Sequence, residues 1–265
     1  MIYHSLLVAL VIRLFCLLLL CFNAHVYARD IKVAAGNFTP YFKASSYQRH
    51  VGLYEQLLSA GLNRAGFSPT YINVSNDAIK RYYEKQRVDI AVNWTGAFTG
   101  DGYPSQYRLF FYNRAILSKD NRWAKAEHVL DLKGARLASF SGASLNFGHD
   151  FQILINDINT RYFESGDQLA VNKMLVANKI DVLVADWLKF YHFIKPLGLT
   201  NKFTPLDVIT NAGSQIIFRD EGVRDAFDTA ITQMYVSGEL DKLTLTWLAK
   251  NKLPKVSHRF LAKRP

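Results

Sequence analysis

The residues of this chain best suited to recognition or chemistry gather in four short stretches, each directly after an apolar, β-branched run. They are Asn37-Phe38-Thr39-Pro40-Tyr41-Phe42, Asn93-Trp94-Thr95, Phe140-Ser141-Gly142-Ala143-Ser144 and Asp186-Trp187. Rings beside a few hydrogen-bonding groups are what a small-molecule cleft needs, because rings exclude water from a ligand while polar groups orient it. Any one ring taken alone serves a packed core equally well. The Ser141–Ser144 turn, opening a helix, would leave N–H groups and a hydroxyl for an anionic or carbonyl oxygen, although a plain helix cap uses the same residues. Asp186 ends a wholly apolar run, so its carboxylate would sit at the mouth of a buried sheet and draw a cationic group. Its competing role is to cap the helix that starts at Trp187. In the ligand role, Asp186→Asn should weaken binding and barely change fold stability. The candidate ligand-binding set is therefore Phe38, Tyr41, Trp94, Thr95, Ser141, Gly142, Ser144 and Asp186.

Signatures of catalysis are missing: there is no G-x-S-x-G, H-E-x-x-H, P-loop or G-x-G-x-x-G pattern. His50, His128, His149, His192 and His258 stand apart from one another in sequence, and no local pair of carboxylates forms a motif. No catalytic residue, metal site or cofactor is expected.

The elements that must position these stretches follow from the periodicity. From Ile31 onward, short β-branched runs alternate with longer helical patterns, as in strands joined by crossover helices in a mainly parallel sheet. Strands are expected at 31–35, 69–74, 88–94, 115–118, 136–140, 162–164, 180–185 and 214–219. Helices are expected at 53–65, 77–85, 145–159, 167–177, 187–196, 223–236 and 240–250. In open α/β sheets ligands bind at the carboxyl ends of strands, which is where the four stretches lie. An internal echo divides the chain. Arg87-Val88-Asp89-Ile90-Ala91-Val92-Asn93-Trp94 resembles Lys179-Ile180-Asp181-Val182-Leu183-Val184-Ala185-Asp186-Trp187, and the two predict lobes of similar construction. The polar segment 119–134 reads as the passage between the lobes.

Leu6 to Phe22 is a leucine-rich run broken by Arg13, followed by a Val26-x-Ala28 ending that suits signal peptidase. Cleavage is expected after Ala28, with a periplasmic product. Both cysteines, Cys16 and Cys21, lie within that segment, so the remainder offers no disulfide, thiol nucleophile or cysteine-ligated metal. The formal charge of the whole chain is +10, and the segment removes only Arg13 from the count. Basic residues are scattered rather than gathered into a stripe, which excludes a nucleic-acid reading and leaves attraction to acidic solutes or an anionic envelope surface.

Taken in order, a further set of residues resembles the family 3 solute-binding proteins, the periplasmic receptors of polar amino acid uptake. It comprises Ile31-Lys32-Val33-Ala34 leading to Pro40-Tyr41-Phe42, Gly52-Leu53-Tyr54, Val88-Asp89-Ile90-Ala91, Leu132-Lys133-Gly134-Ala135-Arg136-Leu137-Ala138, the Ser141–Ser144 turn, Ile180–Asp186, and Ser237-Gly238-Glu239-Leu240 before Trp247-Leu248. The resemblance implies an α/β fold of the type II periplasmic-binding kind, with two lobes, each built on a central mainly parallel sheet flanked by helices. Lobe 1 would be discontinuous, 29–116 and 208–265, with lobe 2 at 117–207 and residues 1–28 as signal peptide. It also implies that Asp186 takes a ligand ammonium and that Gly142 to Ser144 take carboxylate oxygens. The family's Thr-x-x-Arg element is absent here: the stretch reads Thr95-Gly96-Ala97-Phe98-Thr99, with no arginine before Arg108. The expected function is closure around a small polar or amino-acid-like solute by a monomer, non-catalytically, for an inner-membrane ABC permease or a membrane sensor. The alternatives are an enzyme on the same fold, resembling cyclohexadienyl dehydratases and using Asp186 or a histidine as acid or base, and a purely sensory component.

Overall fold

The computed structural model describes residues 28–36, 38–42, 51–94, 96–210 and 213–263. The expected signal segment lies outside the described residues, apart from Ala28, and so does Thr95. Eleven strands and seven α-helices are described, in two sheets.

The first sheet contains β1 (Arg29–Gly36), β2 (Phe67–Val74), β3 (Ile90–Trp94), β4 (Tyr103–Leu109), β10 (Ser214–Phe218) and β11 (Leu261–Lys263), in the order β11-β4-β10-β3-β1-β2. Its parallel centre, β2-β1-β3, is extended by antiparallel pairing of β10 with both β3 and β4, and of β11 with β4. The second sheet contains β5 (Asn113–Ser118), β6 (Arg136–Phe140), β7 (Arg161–Ser165), β8 (Val182–Asp186) and β9 (Phe203–Leu206), in the order β7-β6-β8-β5-β9. Here β7-β6-β8 is parallel and β5 runs antiparallel to both neighbours.

The central strands of both sheets are buried on both faces, and the two-residue strand period sorts their side chains accordingly. Val33 and Ala35 of β1 and Ile90 and Val92 of β3 join one apolar cluster, with α1 (Leu53–Arg64), α6 (Glu221–Val236) and α7 (Glu239–Lys250). Ala34 and Ala91 face the other way, onto Ile79 and Tyr83 of α2 (Asn76–Glu84). In the second sheet Ala115, Leu117, Val182 and Val184 pack with Phe151 of α3 (Gly148–Ile155). Ile116 and Leu183 turn instead toward α4 (Gln168–Val176) and α5 (Trp187–Ile194). That last cluster is continuous from α1 of the first lobe to α5 of the second, so the lobes are packed together.

The internal echo has a structural counterpart. The Asp89 carboxylate accepts from Lys32 N at 2.8 Å, and Asp181 accepts from Arg136 N at 2.8 Å, so each aspartate fastens the start of its lobe's leading strand. The turns that feed the two strands match as well. Gln86 and Asn178 both have φ of 54°, and the helix-closing bonds Arg87 N to Tyr82 O and Lys179 N to Met174 O recur in the same register.

Two expectations are corrected. Lobe 1 was expected to run to residue 116, but β5 pairs with β8 and β9 and so belongs wholly to the second sheet. The chain crosses at Phe110-Phe111-Tyr112, between β4 and β5, and β9 of the second sheet is followed by β10 of the first. The polar segment 119–134 is not the passage; it lies on the second lobe, where Lys119 N donates to Lys202 O and Asn121 Nδ2 to Asp181 O. An apolar strand carries no mark of the sheet it joins, and a polar run marks a surface loop whether or not it links lobes.

Candidate functional site

Asp186 ends β8 and, although a carboxylate, is only 5% exposed. Three donors meet it. One oxygen accepts from Lys189 N at 2.8 Å, capping α5. The other accepts from Tyr112 N at 2.7 Å and from the Tyr41 hydroxyl at 2.6 Å. Tyr41 belongs to the first lobe, so this last bond spans the seam. Burial raises the Asp186 pKa, while the Tyr41 hydroxyl and the two amides pull the other way. Burial and then the Asp186 charge push Tyr41 well above the usual phenol range, so the proton stays on Tyr41 and the phenol donates.

Tyr41 stacks on Tyr54 at 4.8 Å between ring centroids, and both meet Phe111 edge-on at 5.2 and 5.3 Å. Phe111 comes from the first crossing and in turn packs on Phe38 at 5.0 Å. Gly52 makes this block possible: a Cβ there would lie 2.1 Å from the Tyr41 carbonyl oxygen. Among the described residues, the buried Tyr54 hydroxyl has no hydrogen-bond partner.

Lys189, one turn into α5, extends its ammonium into the seam. It donates to Gln168 Oε1 at 2.6 Å, from the same lobe, and lies 3.7 Å from the centroid of Phe38, from the other lobe. Burial brings its pKa down to about 8, opposed in part by the Asp186 charge. Among the described residues, Gln168 is its one hydrogen-bond acceptor, which leaves further N–H capacity on a buried cation.

The Ser141–Ser144 turn forms as expected, with Gly142 at φ of 79°, a left-handed conformation that glycine adopts without strain. Its amides are not open, however: Gly142 N and Ser144 N donate to the two oxygens of Glu164, at 2.6 and 2.7 Å. Partial burial works against ionisation of Glu164, but those amides and the Tyr162 hydroxyl outweigh it and hold the carboxyl below its ordinary value. The two amides expected to be open to a ligand oxygen are thus taken by a carboxylate of the chain itself.

The structure therefore brings together Phe38, Tyr41 and Asp186 and adds Lys189 and Gln168, while Glu164 joins the Ser141–Ser144 turn; the sequence reading singled out none of these three. Trp94 packs elsewhere, edge-on against Tyr83 and Phe98 in the α2 cluster. Lys189 had a legible signal, one turn after Asp186 on a helix face. Glu164 had none, because it reaches its turn only through the parallel pairing of β6 and β7.

The fold is that of the type II periplasmic-binding proteins. Among solved structures, the chain is similar to an arginine transport-system periplasmic binding protein from Legionella pneumophila, with a TM-score of 0.62 and 14% identity over 83% of this chain and 99% of that one. It is also similar to an ABC uptake transporter substrate-binding protein from Streptococcus pneumoniae with bound histidine, with TM-score 0.58, 17% identity and coverage of 85% and 95%. A third similar structure is the arginine-, lysine-, histidine-binding protein ArtJ from Geobacillus stearothermophilus, with TM-score 0.56, 17% identity and coverage of 86% and 97%. No protein-family model and no curated protein matches the sequence.

Proposed function

We propose that this chain is an exported, non-catalytic solute-binding protein whose two lobes close on a small polar solute at the seam between Phe38, Asp186 and Lys189. The observation that carries the proposal is the Lys189 ammonium, held between Gln168 of one lobe and the Phe38 ring of the other. A cation at the junction of two lobes, with N–H groups to spare, is a ready partner for a solute carboxylate. The same seam supplies an aromatic face, the Phe38 ring. Asp186, already bonded by three donors, orients Tyr41 and the start of α5 rather than meeting a ligand ammonium first, which revises the expectation of a cationic ligand head. Similarity to proteins described as binding arginine and histidine supports an amino-acid-like solute. The periplasm is the proposed site of action, a monomer the proposed form, and an inner-membrane ABC permease or a membrane sensor the proposed partner.

Calorimetric titration of the purified protein with amino acids, simple carboxylates and amines tests this directly. At least one carboxylate-bearing solute should bind saturably, and Lys189→Met should weaken it by about tenfold or more, as loss of a charge-assisted hydrogen bond does. Equal affinities for wild type and variant, or binding of amines alone, would remove Lys189 from the site.

A further inference from the structure

At the opposite end of the second sheet from the seam, where β6, β7 and β8 begin, a solvent-open pocket of about 490 Å³ is lined by the exposed Arg122 and Arg161, by Arg136 and by one carboxylate, Asp181. Arg136 consumes that carboxylate. Its Nη2 donates to Asp181 Oδ1 at 2.7 Å, and its Nε donates to Oδ2 at 3.0 Å. Arg122 lies over the Trp123 indole, its guanidinium carbon 3.8 Å from the ring centroid. Arg161 stands on β7 in direct parallel register with Arg136 on β6. Among the described residues neither Arg122 nor Arg161 has a hydrogen-bond acceptor for its side chain. With Asp181 neutralising one of the three arginines, the cavity carries two uncompensated positive charges, and it is of the size of a small-ligand site.

We infer that this cavity is a second binding site, separate from the seam, for a compact dianionic oxyanion of the phosphate class. Arg122 and Arg161 donate forked hydrogen bonds to its oxygens, a geometry that a guanidinium matches and an ammonium does not. The immobilised Arg136–Asp181 pair forms the floor and keeps the two free guanidinium groups from collapsing onto a carboxylate. The phosphate group could belong to a free solute or to a lipid headgroup, since the chemistry is shared.

The test titrates the purified protein with inorganic phosphate and, separately, with acetate, at constant ionic strength, followed by calorimetry. Its second arm measures sedimentation with vesicles of phosphatidylcholine alone or with phosphatidate added. Wild type should bind phosphate saturably and at least about tenfold more tightly than acetate, or should sediment with phosphatidate vesicles alone. The double variant Arg122→Gln, Arg161→Gln should lose this binding by about tenfold or more. It retains the Arg136–Asp181 pair, and an unchanged circular dichroism melt would show that it folds. Binding of free phosphate assigns the site to a soluble ligand, and recruitment to vesicles without it assigns the site to a headgroup. No saturable phosphate and no vesicle binding, equal binding of acetate, or undiminished binding by a folded double variant would overturn the inference. None of these outcomes depends on the seam, so the two sites fail or stand separately.

Discussion

At the scale of single residues, the seam is governed by side chains that satisfy one another across it. Asp186 was legible as a carboxylate at the end of a buried strand, and its cap of α5 was legible as the competing role. Its burial and its bond to Tyr41, a residue 145 positions away, were not, because no local pattern encodes a contact of that range. That bond reverses one expectation from the sequence. In Asp186→Asn the side-chain oxygen can still cap Lys189 N, but an amide NH₂ then faces Tyr112 N–H and the Tyr41 hydroxyl. A buried N–H without an acceptor costs about 1–3 kcal/mol, so urea denaturation should show the variant less stable by that amount rather than unchanged. Equal stability would mean that the three bonds contribute little. Lys189 provides a second test, through pH. Its folded pKa of about 8 lies below its ordinary 10.5. The unfolded chain therefore binds more protons between those values, and the Lys189 contribution to stability rises with pH across that window. Lys189→Met abolishes this titration, so the stability of wild type relative to the variant should improve between about pH 8 and 10. A constant difference over that range would place the ammonium in water rather than in the seam.

At the scale of elements, although the partly exposed edge strands β2 and β7 were also expected, the strands most plainly legible in the sequence are those buried on both sides. Their β-branched runs need two apolar faces, and β1, β3, β6 and β8 all stand where such runs occur. The three strands without an advance signal, β4, β9 and β11, owe their form to partners instead. β4 is Tyr-Pro-Ser-Gln-Tyr-Arg-Leu, largely polar and carrying Pro104. β9 carries Pro205 and lies at a sheet edge, the position proline tolerates, while β11 has only three residues at the other sheet's edge. The helix expected over 145–159 is shorter, Gly148–Ile155, because a 3₁₀ turn at Ala143–Leu145 first fits the chain around Glu164. The junction before α1 shows how closely an element can be held. Gly52 has an ordinary φ of −66°, so only space requires glycine there, yet a Cβ would collide with the Tyr41 backbone. Gly52→Ala should therefore destabilise by about 1–3 kcal/mol or more, as overpacking does. In a chain of this size, that lowers the melting temperature by about 2–4 °C per kcal/mol. An unaltered melt would show that the Tyr41 segment moves aside freely.

At the scale of the whole molecule, two lobes are joined by two crossings that are fastened to each other. Arg114, just past the first crossing, is buried on the Tyr112 ring at 3.7 Å and reaches Asp207 of the second at 3.2 Å. His258 donates from Nε2 to Phe110 O at 2.7 Å, which brings the C-terminal segment against the first crossing. Under the proposed function, this junction is where the lobes turn on one another, the general form of hinge closure. The two-lobe plan was legible because the echo of Asp89 in Asp181 is a repeat of construction, each fastening its leading strand. The crossing itself was not legible, since Phe110-Phe111-Tyr112 reads as core.

The central claim, that the seam is a solute site, is tested most directly by native mass spectrometry of the protein purified without refolding, beside Phe38→Ala. Wild type should carry a small-molecule adduct, or acquire one from a panel of amino acids and carboxylates. Phe38→Ala should carry it in much smaller proportion, because the ring that closes over the ligand is gone. A wild type that stays bare against the whole panel, or an adduct that Phe38→Ala retains undiminished, would contradict the account.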